Sequence, residues 1–181
     1  MSSSRPLQNT PQAFASQLRE GHFNELRVAL HLMLQGCLVR ISFSDGRYDI
    51  EARTPRGRVW HVEVKWDKRA AESGRLYFEV ENTRQRKPSG IMATSADLWC
   101  HVLGGGEQAL LARVPRLREF LVRGGFRSVH TGGADSNSRG LLVPRERLDV
   151  PGFRWIRLPT VQDYFGEIFR RGSGGTQNGS R

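Results

Sequence analysis

The chain has 181 residues, enough for one domain with a substantial core and too few for two comfortable ones. Its 28 Lys and Arg against 18 Asp and Glu leave a formal charge of +10, which favours a polyanionic partner because each phosphate neutralised releases a condensed counterion. No run of about 18 apolar residues occurs and the N-terminus lacks the apolar stretch of a signal peptide, so a soluble, cytoplasmic protein is expected.

Residues 1–11 are polar and Ser-rich and read as a flexible arm. From Pro11, the residues Phe14, Leu18, Leu26, Ala29, Leu30 and Met33 recur at three- and four-residue steps. They predict an amphipathic helix that Gly36 ends, with Gly21 as a candidate break. Cys37 to Phe43 reads as a strand and Ser44-Asp45-Gly46 as a turn. Tyr48 to Glu51 and Val59 to Trp66 then form a hairpin around Thr54 to Arg58. Side chains alternate along a strand, so His61, Glu63 and Lys65 share one face while Trp60, Val62, Val64 and Trp66 take the other. Pairing across the turn brings Asp49 toward Glu63.

Asp67 to Gly74 is expected as a loop, followed by a strand from Arg75 to Glu81 in which Tyr77, Glu79 and Glu81 face together. The segment Asn82 to Gly90 is a cationic loop. Thr94 is expected to cap a short helical turn through Asp97, before a strand from Leu98 to Leu103 that Gly104-Gly105-Gly106 breaks. Pro115 suits the first turn of an element reaching Val122 and closed by Gly124-Gly125. A Gly/Ser/Asn loop from Thr131 to Gly140 precedes short strands at Leu141 to Val143 and Arg154 to Leu158. A helix from Thr160 to about Arg170 and a low-complexity, disordered tail at 172–181 complete the chain. This order implies an α/β sandwich around a mixed sheet, one domain over residues 12–171.

The chemistry concentrates in Asp49, Glu63 and Lys65, spaced as D-x13-E-V-K. Two carboxylates and an ammonium at the edge of an apolar hairpin suit a hard divalent cation, with one lysine left to handle a water or a phosphate oxygen. A plain Glu63–Lys65 salt bridge on an exposed strand is the competing reading, and the strongly apolar opposite face opposes it. Glu51, Glu79 and Glu81 are spare carboxylates, and His61 shares the face of Glu63. Lys68, Arg69, Arg84, Arg86 and Lys87 are the candidate phosphate contacts. Cys37 and Cys100 sit in apolar stretches without metal-ligand spacing and read as reduced core thiols.

These residues resemble the PD-(D/E)XK nuclease superfamily, especially its small phage and archaeal Holliday-junction-resolvase-like members. Glu25 on the first helix, Asp49, Glu63 and Lys65 carry the resemblance, over roughly Phe23 to Val102, with Tyr48 standing where that family's name has Pro. Lys87-Pro88-Ser89-Gly90-Ile91 with Thr94, Ala96-Asp97 and Trp99 is similar to a segment after the catalytic lysine of phage-type members. Gly132 to Ser138, running into Gly140 to Pro144, is similar to a loop-strand piece of the same proteins.

The resemblance implies a restriction-endonuclease-like α/β sandwich, a central mixed sheet flanked by helices. It implies Mg²⁺ or Mn²⁺ held by Asp49, Glu63 and the Val64 carbonyl with help from Glu25, and Lys65 acting on the attacking water. Hydrolysis of DNA, branched or structured, by a phage-encoded homodimer follows from it as an expectation. A nuclease acting on RNA and a non-catalytic nucleic-acid-binding protein on the same fold stay open beside it.

Overall fold

A computed structural model of the chain describes residues 11–42, 47–131 and 137–160. The first helix, α1 (Pro11–Leu34), is continuous. Gly21 does not break it; the position opens on empty space, and one glycine costs a helix only about 1 kcal/mol against Ala. At its end the Cys37 N–H donates to the Leu32 carbonyl and the Gly36 N–H to that of Met33, around Gly36 at φ +84°. This paired closure needs a left-handed residue, which glycine supplies at no steric cost.

The buried stripe of α1 differs from the expected one. Val28, Ala29 and Leu32 pack on the sheet, while Leu26 and Met33 are 49% and 57% exposed. Polar contacts set this rotation. The buried Arg27 donates from Nε to the Pro159 carbonyl and from Nη1 to the Gly105 carbonyl, each at 3.0 Å. Neighbouring Gly106 makes room for it, since a Cβ there would lie 2.1 Å from Arg27 Nη1.

Strands β1 (Leu38–Ile41), β2 (Ile50–Arg53) and β3 (Val59–Asp67) form an antiparallel meander. After it come α2 (Ala70–Ser73), β4 (Arg75–Asn82), β5 (Lys87–Pro88) and a 3-10 turn at Gly90–Met92. Strand β6 (Leu98–Leu103) then returns parallel to β3, and β7 (Gln108–Arg113) leads into α3 (Val114–Arg123). Strands β8 (Arg127–Thr131), β9 (Ser138–Pro144) and β10 (Phe153–Arg157) complete the described set. The central sheet is six-stranded and mixed, ordered β1-β2-β3-β6-β7-β10, and the second is four-stranded, ordered β5-β4-β9-β8.

The expected α/β sandwich around a mixed sheet is therefore present. One face of the central sheet, with Ile50, Val62, Cys100, Val102 and Ala109, packs on α1. The other, with Trp99, Leu103, Leu110, Ala112 and Phe153, packs on α3 and the second sheet through Leu117, Leu121, Leu76, Phe78 and Val143. The central pair β6 and β7 carries apolar residues on both sides, as a doubly covered sheet requires, whereas β3 turns His61, Glu63 and Lys65 to one face.

Local differences have local causes. The expected loop at Asp67 to Gly74 contains α2, because Asp67 Oδ1 accepts the Arg69 and Ala70 N–H groups at 3.1 Å each and nucleates the turn. Thr94 caps no helix; the helical turn lies earlier, at Gly90–Met92. The expected loop at Thr131 to Gly140 is narrower, because β8 and β9 pair up to Thr131↔Ser138. Pro115 does sit in the first turn of α3. The turn at 44–46, the helix from Thr160, most of the N-terminal arm and the C-terminal tail fall outside the described residues. Among the described residues no helix is long and apolar enough to cross a membrane.

Candidate active site

The β2–β3 ladder runs to the pair Ile50↔Val62, and the Asp49 N–H still donates to the Val62 carbonyl at 3.0 Å. There the ladder ends and the Asp49 side chain continues it: Oδ2 accepts the Val64 N–H at 2.7 Å. In a pleated strand the N–H and C=O of one residue point to the same side, so the Val64 carbonyl opens toward Asp49. Glu63 and Lys65 alternate onto the opposite face from Val62 and Val64, as expected. Their parallel partners in β6 are Trp99 and His101.

Glu63 is held from above the sheet. Its Oε2 accepts the Thr94 hydroxyl at 3.2 Å. Thr94 is in turn fixed by α3, from which Arg118 donates through Nε to the Ile91 carbonyl at 2.8 Å and through Nη2 to the Thr94 carbonyl at 2.5 Å. Glu25 arrives from α1, half-buried, and interacts electrostatically with both Asp49 and Glu63.

Electrostatics single out these acids. Burial, then the Asp49 charge, pushes the Glu25 carboxyl up to about 7. Burial, then the same charge, pushes Glu63 to about 7, against the opposing Thr94 hydrogen bond and Lys65 ammonium. Asp49 is raised by burial even though the Val64 N–H and the Lys65 and His22 charges pull it down. The three acids are thus coupled electrostatically, and burial outweighs the Lys65 charge at both Asp49 and Glu63. Lys65 is exposed beside them.

The other expected candidates have other partners. His61 turns from Glu63: it stacks on the buried Tyr48 ring at 4.1 Å, with Nδ1 3.6 Å from Asp97 Oδ2 and Nε2 3.8 Å from Glu51 Oε2. Glu51 also accepts from Arg40, and Glu81 is paired with Arg139. A bulge between Glu79 and Glu81 breaks the even alternation that put them on one face. Arg84, Arg86 and Lys87 are exposed where β4 turns into β5, in the second sheet. Lys68 and Arg69 follow β3 in the central one, with Lys68 Nζ 4.3 Å from the Trp66 ring centre. Cys100 is buried, its thiol pushed up to about 12 by burial, whereas Cys37 is partly exposed rather than in the core.

Sequence reasoning missed two features. One is the Thr94–Arg118 support of Glu63, which joins segments far apart in the chain. The other is a buried network beside Lys65: Trp99 Nε1 donates to His101 Nδ1 at 3.2 Å, and His101 Nε2 lies 3.5 Å from Asp67 Oδ2. That last contact is long, so His101 Nε2 is only weakly satisfied. Burial holds His101 below its ordinary value and so neutral. The alternation of Leu98-Trp99-Cys100-His101-Val102-Leu103 on an inner strand carried the signal, since it places His101 on the face of Trp99 and Leu103.

Among the described residues no three His, Cys, Asp or Glu side chains already close into a ligand set. No family model matches the chain, and no curated protein matches it. Among solved structures the chain is similar to a bacterial homing endonuclease, I-Ssp6803I, at 15% identity and a TM-score of 0.46, over 87% of this chain and 96% of that one. So loose a likeness passes no residue role across.

Proposed function

We propose that this protein is a metal-dependent endonuclease that hydrolyses DNA phosphodiester bonds, with Asp49, Glu63 and Lys65 as its centre and Glu25 beside them. The observation that carries the reading is the under-neutralised set of half-buried acids where the β2–β3 ladder ends. Burying like-charged carboxylates together works against folding, so the arrangement calls for a ligand that reverses the cost.

The donors fit a hard divalent cation such as Mg²⁺ or Mn²⁺, because all are oxygens: the Asp49 and Glu63 carboxylates and the Val64 carbonyl. Such an ion supplies a more acidic water and a polarised phosphate. The chain's own residues set the stage. The Val64 N–H fixes the Asp49 carboxylate, and the Thr94 hydroxyl orients Glu63 and favours its charged form. Lys65 reaches solvent from the same face, where it would orient the attacking water or meet the developing phosphate charge. Glu25, protonated up to about 7 without a cation, would ionise as positive charge arrives.

The net charge of +10 supports a polyanionic substrate. Lys68, Arg69, Arg84, Arg86 and Lys87 are proposed phosphate contacts, which would position the duplex without reading its sequence. Branched DNA as the preferred form, and a homodimer as the acting unit, rest on the resemblance alone.

Plasmid nicking in Mn²⁺, with and without EDTA, tests this reading. Asp49→Asn and Glu63→Gln are expected to fall below roughly a hundredth of the parent rate, the scale on which losing one transition-state contact acts. Both should keep DNA affinity, which is expected to fall with salt at a log-log slope of about −0.9 per neutralised phosphate. Variants that nick at the parent rate would overturn the assignment and leave a binding module.

A further inference from the structure

At the opposite end of β3, and on its other face, lies a second site that the acidic centre does not use. The β2–β3 turn closes when the Thr54 N–H donates to the Arg58 carbonyl at 2.8 Å and the Arg58 N–H to Thr54 Oγ1 at 3.1 Å. That closure places Arg58 on the face of Trp60 and Val62. The register Val62↔Leu98, Leu98↔Arg113 and Leu111↔Arg154 carries the same face across β3, β6, β7 and β10. A cleft of about 380 Å³ results, with Trp60, Leu98 and Leu111 as its apolar part and Arg58, Arg113 and Arg154 around it. That volume falls within the roughly 300–1,000 Å³ of small-ligand clefts.

The Arg58 guanidinium lies 3.8 Å from the centre of the Trp60 ring, and that of Arg113 lies 5.1 Å from it. Among the described residues no carboxylate pairs with any of the three arginines. The Arg154 charge is felt at His31 on α1, whose imidazole it helps hold below the ordinary value after burial. Two guanidiniums over one aromatic ring and a third in the same cleft repel each other and cost stability unless an anion joins them. A planar group that stacks and a phosphate that pairs would satisfy both halves of the cleft at once.

We infer that this cleft binds an unpaired nucleotide of a single-stranded nucleic acid segment, its base stacked against the Trp60–Arg58 pair and its phosphates met by Arg113 and Arg154. A duplex cannot fill it, because paired bases are stacked on each other and have no free face to offer. An acidic peptide would pair with the arginines and leave the ring unused. The inference is independent of cleavage at Asp49 and Glu63, so it stands or falls separately.

Fluorescence anisotropy in EDTA, with a labelled oligothymidine and a duplex of equal length, tests it on the full chain. Trp60→Leu is expected to weaken single-strand binding by roughly 5–150-fold, the range of one base–aromatic stack, and to leave duplex binding unchanged. Trp60→Phe, which keeps a stacking face, should bind near the parent affinity. If Trp60→Leu does not fold, the double variant Arg113→Ala/Arg154→Ala decides, with a single-strand salt slope shallower by about 1.4 for two lost phosphate contacts. Parent-like single-strand affinity in Trp60→Leu, an unchanged slope in the double variant, or competition by polyglutamate as strong as by oligothymidine would each overturn the inference.

Discussion

Glu63 and Asp67 stand on the same strand and face the same way, yet their surroundings treat them oppositely. Asp67 is saturated: Oδ1 accepts two backbone N–H groups and Oδ2 a third, from Tyr77 at 3.0 Å, with His101 alongside. Burial alone would raise its carboxyl, but these partners outweigh burial and leave it below the ordinary value. Glu63 has one hydroxyl for a partner and two acids for company, and is raised to about 7. A buried carboxylate whose lone pairs are all taken is part of the scaffold. One left short of donors is poised for something the chain does not itself contain.

The largest expected effect that could break this contrast is on stability. Asp67→Ala removes the acceptor of the Arg69 and Ala70 N–H groups at the start of α2 and orphans the Tyr77 N–H, at a cost of about 3 kcal/mol. For a chain of this size that is roughly a 6–12 °C fall in Tm. Glu63→Gln in EDTA at pH 8 should instead raise Tm slightly, since it removes one of three repelling charges. Scanning calorimetry of the two variants side by side checks both signs; an equal loss in both would erase the distinction.

A smaller effect should appear with pH. The folded chain keeps protons on Glu25 and Glu63 up to about 7, where the ordinary value is 4.5, so between those values the folded state binds more protons than the unfolded. The contribution of these two groups is therefore fully present below about 4.5 and declines as pH rises to 7 in the metal-free protein. Asp67 acts in the reverse sense, its contribution being lost only as pH drops below the ordinary 3.8. Tm measured against pH in EDTA should show the decline, and added Mn²⁺ should remove it. A flat profile from 4.5 to 7 would mean that the acids do not interact as described.

The smallest expected change sharpens the role of the Thr94 support. Thr94→Val deletes the hydroxyl that favours ionised Glu63, so that carboxyl should hold its proton to higher pH. The acidic limb of the cleavage profile should then shift upward, with the alkaline plateau reduced less than tenfold. Arg118→Ala, which frees the Thr94 carbonyl, should shift the limb the same way. An unmoved limb in both variants would reduce this support to packing.

The hairpin was legible because its cues are local. Alternation around Glu63 and Lys65 depends only on the strand period, and the D-x13-E spacing follows from a short turn. The fold class was legible from element order, with the β3–β6 crossover giving the mixed sheet. The four-stranded sheet was not, since β5 has two residues and β8 pairs with β9 across a segment that reads as loop. The facing of α1 was misread because Leu26 and Met33 satisfy the apolar period as well as Val28 and Leu32 do. Arg27, a residue that hydropathy places outside, decides between them. His101 escaped notice for a related reason: alternation gives its face, beside Trp99 and Leu103, but not the Trp99 and Asp67 partners that hold it there.

The Arg27 clamp also ties the acidic centre to distant parts of the chain. Its two carbonyl partners lie 78 and 132 residues along the chain, so the turn of helix that carries Glu25 is held by contacts of high sequence separation. Asp49 and Glu63, by contrast, meet through a hairpin whose contacts are local in sequence. Glu25 is thus placed by contacts of long range and the hairpin acids by contacts of short range, so losing the Arg27 clamp is expected to loosen Glu25 while leaving the Asp49–Val64 bond in place.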